Sequence, residues 1–258
     1  MYRSIEQRIL DAAVRKDLEI FIAKAFQLVS PSGTYLHNWH IEAIADYLTQ
    51  CYRGDINRLI INLPPRNLKS ICASVLFPAW VLGQDPTRQI ICVSYSAELS
   101  GKLARDCRAV IESPWYKRMF PRTRLLRNKE YDLETTQKGK RYATSVGGSI
   151  TGLGADIIII DDPMKPEDSQ SETIRKKINE WYDGTLYSRL NDKANGVIIL
   201  IMQRLHVDDL VSHVKQKDDW VQINLPAIAE INQTIPLSNG NVIQRQVGEL
   251  LHPERESF

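Results

Sequence analysis

Two small groups of side chains in this sequence could act together on a phosphate anhydride and its metal ion. The first is Lys69-Ser70, which closes the stretch RLIINLPPRNLKS at residues 58–70. There an apolar run (Leu59, Ile60, Ile61, Leu63) enters a loop, and a helix-compatible segment follows. A strand, a tight loop and a helix N-terminus in that order aim backbone N–H groups and a partial positive charge at an anion. A lysine at that corner reaches β/γ-phosphates, and the next hydroxyl can ligate Mg²⁺. The second group is Asp161-Asp162 at the end of DIIIIDD, residues 156–162, just before Pro163. Four consecutive isoleucines fit a strand buried on both faces. Carboxylates at the C-terminal end of such a strand lie on the edge where open α/β sheets bind ligands, the same edge as the Lys69 loop. The pair fits a P-loop ATPase in which Ser70 and Asp161 serve Mg²⁺, Asp161 through water, and Asp162 stands next to the attacking water.

Each group has a bland reading beside the chemical one. An apolar strand followed by Lys-Ser is also an ordinary surface turn, and a buried strand can have an acidic exit for no catalytic reason. The loop departs from G-x-x-x-x-G-K-[ST] as well, because Leu63 and Leu68 occupy both glycine positions. Two matching sheet edges favour the nucleotide reading.

The elements that must position these groups follow from periodicity. Residues 4–29 carry apolar positions at helical spacing and stop before Ser30-Pro31, as one long helix or two; a further helix spans Trp39 to Arg53 with Gly54-Asp55 as its stop. Beyond Lys69 the pattern predicts a helix to Gly83 bent at Pro78, a strand from Gln89 to Ser94, a helix from Ala97 to Ile111 and a turn from Pro114 to Pro121. Residues 122–146 read as short, polar strands. The acidic strand follows, then a helix from about Ser171 to Leu190 and a buried strand from Val197 to Met202. Alternation of this kind implies an α/β fold with a mostly parallel central sheet flanked by helices. N-terminal helices (1–56) precede the P-loop ATPase core (57–225), and a small C-terminal linker region (226–258) contains a turn at Ser238-Asn239-Gly240-Asn241.

With 258 residues, 43% hydrophobic and 25% charged, the chain can bury one large core. A formal net charge of +2 gives no global argument for nucleic-acid binding, which must rest on local basic clusters. Cys51, Cys72, Cys92 and Cys107 show no C-x-x-C spacing and read as buried thiols in a reducing compartment, without a zinc site. Without a signal-like or membrane-length apolar stretch, a soluble protein with no membrane partner is expected.

Several segments in order, WHIEAIADYL, RLIINLPPRNLKS, ICVSYSAELSGKLARDCRAVI, SVGGSITGLGADIIIIDDP, WYDGTLYSRL and GVIILIMQRLHVDDL, resemble the ATPase portion of bacteriophage terminase large subunits, over most of residues 37–215. The resemblance implies a Mg-dependent ATPase that drives double-stranded viral DNA into a procapsid in the cytoplasm of the bacterial host. Its implied partners are DNA, the portal protein and the small terminase subunit, with a homo-oligomeric ring on the procapsid and a monomer in isolation. ATP and Mg are the implied cofactors. Alternatives are another P-loop DNA-dependent ATPase, or a nucleotide-binding scaffold with little turnover, suggested by the missing loop glycines. The family carries a nuclease domain after the motor; this chain stops about where that would begin, so no DNA cutting is expected of it.

The resemblance also implies roles. Asp162 takes the position of the water-orienting acid, with Glu167 as the lesser candidate. Gln203, after the strand ending at Met202, takes that of a γ-phosphate sensor; Arg204 beside it is either a phosphate contact or a partner for Asp208 or Asp209. The loop residues Pro65, Arg66, Asn67 and Leu68 join Lys69 and Ser70 in holding nucleotide, and Trp39 and His40 match an adenine-binding cluster. Arg66 is the implied arginine finger in cis, with Arg105 or Arg108 as trans alternatives; Leu153 stands where relatives often place an arginine. Candidate DNA contacts are Arg122, Arg124, Arg127 and Lys129; Lys138, Lys140 and Arg141; and Arg175, Lys176 and Lys177.

Overall fold

The isoleucine run occupies the middle of the sheet, where its composition requires two covered faces. In the computed structural model, which describes residues 5–255, strand β6 (Ile157–Asp161) pairs in parallel with β2 (Gln89–Ser94) on one side and β7 (Val197–Met202) on the other. Ser4, expected to open the first helix, and Glu256, Ser257 and Phe258 of the expected linker region lie outside the described residues.

Beyond β7 the sheet continues in parallel through β1 (Arg58–Asn62) to β8 (Val221–Asn224). Beyond β2 it continues in parallel to β5 (Lys140–Ser145), then antiparallel to β4 (Asp132–Thr135) and β3 (Leu125–Asn128). The polar stretch before Val146 is therefore a meander that extends one side of the sheet. The full order is β3-β4-β5-β2-β6-β7-β1-β8. A separate antiparallel hairpin, β9 (Gln233–Pro236) with β10 (Val242–Arg245), turns through the expected Ser238–Asn241 corner, where Leu237 N–H donates to the Asn241 carbonyl.

Alternate residues along the central strands feed two cores. Leu59, Ile61, Ile157, Ile159, Ile199 and Ile201 face the N-terminal helices; Ile60, Ile158, Ile160, Ile198 and Leu200 face the other layer. Burying each such side chain contributes about 1.5–3 kcal/mol, so these strands fix the frame on which the loops sit. The first layer holds α1 (Ile5–Lys16), α2 (Leu18–Val29), α3 (Trp39–Arg53), α4 (Phe77–Gln84) and α5 (Ala97–Glu112). The second holds α7 (Glu172–Trp181) and α8 (Leu210–Lys215), and α6 (Pro114–Met119) fills the expected turn before Pro121.

The 4–29 region divides into two helices because Asp17 takes an extended conformation and its carboxylate accepts from Ile20 N–H, capping α2. Helix α3 stops at Gly54, which adopts φ 85° and donates to the Cys51 carbonyl. The helix after Lys69 is irregular before Pro78 rather than at it. Residues Ile71–Leu76 form a π-helical stretch that runs into α4, with Phe77 N–H donating to the Cys72 carbonyl. All four cysteines are free and buried. No helix among the described residues is long and apolar enough to cross a membrane.

Candidate functional site

Strand β1 delivers the chain into a loop whose backbone is under strain at two non-glycine residues, Arg66 at φ 63° and Leu68 at φ 61°. An L-residue in the left-handed region costs roughly 1–2 kcal/mol, so local contacts must hold each in place. Asn67 between them is buried and donates through Nδ2 to the Pro65 carbonyl at 3.1 Å. Leu68 packs against the core, and its carbonyl accepts from Cys72 N–H in the first turn of the following helix. The Arg66 carbonyl accepts from Arg255 Nη1 at 2.9 Å. Leucine thus holds, at the cost of strain, the left-handed conformation at the second glycine position of the phosphate-loop pattern.

The next two residues meet the end of β6. Lys69 Nζ lies 2.9 Å from Asp162 Oδ2. Ser70 Oγ donates to Asp161 Oδ1 at 3.0 Å, and Ser74 Oγ, one helical turn further, donates to Oδ2 at 2.6 Å. Burial, then the neighbouring Asp162 charge, pushes the Asp161 carboxyl up to about 7, against the pull of the two hydroxyls and Lys69. Asp162 adopts φ 44° and is caught from three sides: its N–H donates to the Ile201 carbonyl, its carbonyl accepts from Tyr95 N–H, and its Oδ1 accepts from Gln203 N–H at 3.3 Å. The two sequence clusters, and the strand end that carries Gln203, therefore converge on one sheet edge.

Other candidates lie differently. His40 is fully buried, and among the described residues neither ring nitrogen has a hydrogen-bond partner; its ring sits 5.6 Å from the equally orphaned His252, edge to face. Burial, with His252 next in size, lowers its pKa to about 4. Trp39 is half-buried, with the Arg245 guanidinium 5.8 Å over its ring. Arg204 is bound to Asp209, Nε to Oδ2 at 2.8 Å, one of the internal partners the sequence offered. The exposed Arg66 guanidinium has no partner among the described residues, whereas Arg105 is paired with Glu130. Glu167 is exposed and pairs with Lys165 at 3.3 Å.

The basic clusters are partly neutralised from within. Arg127 pairs with Asp132, Lys138 with Glu134, Lys140 with Asp132 and Lys176 with Glu172. Arg175 donates to the Ser169 carbonyl. Arg141 does not belong to an exposed cluster at all: it is 1% exposed, and its Nη2 donates to the Ser74 carbonyl at 3.0 Å. Alternation along β5 turns it inward.

Sequence reasoning passed over Ser74, His252 and Arg255, and it took Arg141 for a DNA contact rather than a buried support. Ser74 had a usable signal, since it follows Ser70 by four residues on a helix and so shares its face. The tail residues had none, because their approach to the loop depends on long-range packing. Asn38 Nδ2, which belongs to the cap of α3, donates to the Leu251 carbonyl, and Leu251 is buried in the core.

Among the described residues no group of three or more His, Cys, Asp or Glu side chains could hold a metal ion. The Ser70 hydroxyl and the Asp161 carboxylate are nevertheless hard oxygen donors on adjoining elements. They fit magnesium, which takes one or two protein ligands and completes its shell with phosphate oxygens and water.

A family model described as Terminase large subunit, T4likevirus-type, N-terminal, matches residues 60–247. No protein of curated function matches the chain. Among solved structures, the HK97 bacteriophage large terminase aligns over 80% of this chain and 44% of its own, at 17% identity and a TM-score of 0.48. A large terminase from a thermophilic bacteriophage, solved in complex with ADP, aligns over 69% of this chain and 44% of its own, at 12% identity and a TM-score of 0.38. The chain thus spans less than half the length of the solved proteins it matches. Since the family match takes in both sheet-edge clusters and most of the α/β core, the chain belongs to the terminase large subunit family, within its N-terminal region.

Proposed function

We propose that this chain binds ATP with magnesium at the Lys69–Asp161 edge, hydrolyses it, and so supplies the motor step that moves double-stranded viral DNA into a procapsid. The observation that carries the reading is the meeting of Lys69 with Asp162 and of Ser70 with Asp161 across two elements far apart in sequence. Phosphoryl transfer to water needs charge neutralisation and an oriented water far more than covalent catalysis, and these four residues supply that set.

In this reading the backbone of Pro65, Arg66, Asn67 and Leu68 wraps the phosphates, and Lys69 moves from Asp162 to them. Ser70 and Asp161 hold magnesium, which when bound neutralises charge on the β- and γ-phosphate oxygens. Asp162, released from Lys69 but still fixed by the Gln203 amide, accepts a hydrogen bond from the attacking water. The Gln203 side chain senses the γ-phosphate, and the unpaired Arg66 guanidinium is the cis arginine finger. Trp39 borders the base; His40, sealed beneath the loop, supports it from below. The loss of the second glycine does not weigh against turnover, since Leu68 keeps the left-handed conformation there.

Packaging itself is proposed from family membership, with DNA, the portal protein, the small terminase subunit and neighbouring copies in a ring as partners, in the bacterial host's cytoplasm. Arg122, Arg124 and Lys129 are the exposed basic residues of the β3 region without an ion pair among the described residues and suit sequence-tolerant phosphate contact. The test is phosphate release from Mg-ATP by wild type, Lys69→Ala and Asp162→Asn. Turnover by wild type and loss in both variants is expected; nucleotide binding without turnover by wild type would sink the motor reading.

A further inference from the structure

We infer that Ser74 is a positioning residue for the metal-binding carboxylate, held in place by Arg141. The inference rests on the proposed nucleotide site and concerns how that site is kept in order. Asp161 ends β6 fully buried, and a buried carboxylate with free rotation could present either oxygen to an incoming cation. Ser74 removes that freedom: its hydroxyl holds Oδ2 at 2.6 Å, leaving Oδ1 to face Ser70 at the base of the phosphate loop. Ser70 is half-buried at the loop, whereas Ser74 is 1% exposed and a full turn deeper in the helix. When Ser70 turns toward a metal ion, Ser74 remains as the fixed anchor. It therefore acts on the cation only through Asp161.

Ser74 is itself fixed by an unusual arrangement. In a regular helix its carbonyl would accept from the N–H four residues ahead, but residue 78 is proline and has none. The chain answers with the π-helical stretch Ile71–Leu76 and with Arg141, whose Nη2 donates to that carbonyl at 3.0 Å. Arg141 is buried on β5, and among the described residues no carboxylate pairs with it; the thiols of Cys107 and Cys92 lie within its field. A buried guanidinium without an acidic partner is expensive. Here its Nη2 hydrogen bond goes to the Ser74 carbonyl, whose α-helical donor position is occupied by Pro78. The chain Arg141, Ser74, Asp161 thus links β5, the phosphate-loop helix and β6, and π-helical insertions of this kind recur at functional sites.

The test is Ser74→Ala, which deletes the hydroxyl and keeps the carbonyl that Arg141 uses. ATP affinity in EDTA, the Mg²⁺ concentration for half-maximal hydrolysis, and the EPR spectrum of Mn²⁺ bound with ADP are measured for wild type and variant. The expected result is a Mg²⁺ requirement raised about tenfold or more and a broadened Mn²⁺ signal, with metal-free ATP affinity unchanged. An unchanged Mg²⁺ requirement overturns the inference, as does an equal loss of metal-free ATP affinity, which marks Ser74 as a packing residue only. If wild type takes up no ATP, the nucleotide reading fails instead, and Lys69→Ala, run alongside, calibrates what that failure looks like.

Discussion

Lys69 Nζ and Asp162 Oδ2 stand 2.9 Å apart, so the cation expected at the phosphates is held at rest by the carboxylate expected at the water. Both groups are shielded, Lys69 at 7% and Asp162 at 28% side-chain exposure, so their contact competes with any incoming phosphate. Replacing Asp162 with Asn removes the competitor while keeping the shape. Asp162→Asn is expected to bind Mg-ATP about tenfold more tightly, a change of about 1.4 kcal/mol, while turnover falls by roughly 10²–10³. Equilibrium binding of a fluorescent ATP analogue and steady-state phosphate release check the two halves; weaker binding by the variant would show that the pair does not guard the site.

On the proposed reading, the carboxyl of Asp161, pushed up to about 7, would tie metal binding to pH. A metal ligand must be deprotonated, so uptake of Mg-nucleotide releases a proton below that value. The apparent Mg²⁺ affinity should rise as pH climbs from 6 to 8 and flatten above, by roughly tenfold per unit on the acid side. For the nucleotide-free protein the sign is the reverse. A carboxyl raised on folding is a stabilising difference that is present below the unfolded value and is lost as pH rises through about 7. Asp161→Asn should therefore raise the melting temperature at pH 8 more than at pH 5, and abolish turnover. Calorimetric titration in two buffers, with melting curves at both pH values, decides; a pH-independent Mg²⁺ affinity would overturn the account.

Strain in the phosphate loop divides differently between Arg66 and Leu68. Both sit in the left-handed region, and a glycine at either removes roughly 1–2 kcal/mol of strain. At Leu68 the gain is offset by loss of a partly buried side chain packed on the core, at roughly 1–2 kcal/mol. At Arg66 the side chain is exposed, and nothing comparable is lost. Arg66→Gly should stabilise the protein by about 1 kcal/mol or less, once the greater freedom of the unfolded glycine chain is included, and should lower turnover through the lost guanidinium. Leu68→Gly should leave stability unchanged or lower. Urea midpoints and initial rates for both variants measure this; a destabilised Arg66→Gly would contradict it.

Much of the frame was legible in the sequence because its signals are local. The isoleucine run specifies a central strand, Gly54 a helix stop, and the apolar spacing after Trp39 the helix that precedes it. That the Lys69 loop and the Asp161-Asp162 strand end share one edge followed from the rule that parallel strands bring their C-terminal ends together. What escaped depends on contacts between distant segments. Arg141 reads as part of a basic cluster in sequence, and only the alternation of β5 buries it. Pro78 suggested a bend at itself, whereas the helix adjusts one turn earlier, where the Ser74 carbonyl takes its hydrogen bond from Arg141 instead of the N–H that proline lacks. The tail reads as a linker, yet Leu251 enters the core and Arg255 reaches the Arg66 carbonyl.

The tail contact also makes a stability prediction. His40 and His252 face each other with four ring nitrogens lacking partners, and burial, then the His252 charge, lowers the His40 pKa from 6.5 to about 4. Below pH 6.5 the unfolded chain takes up a proton that the folded His40 refuses, so stability is full above that value and is lost as pH falls toward 4. The shift corresponds to on the order of 3 kcal/mol across the window, or roughly 6–12 °C in melting temperature for a chain of this size. His40→Phe keeps a ring of similar volume and has nothing to titrate. Its melting temperature should therefore fall less steeply than that of wild type between pH 6.5 and 4, with the two curves diverging by that amount. Parallel curves over the window would show that the imidazole pair carries no such cost, and that the tail rests against the phosphate loop by packing and the Arg255 bond alone.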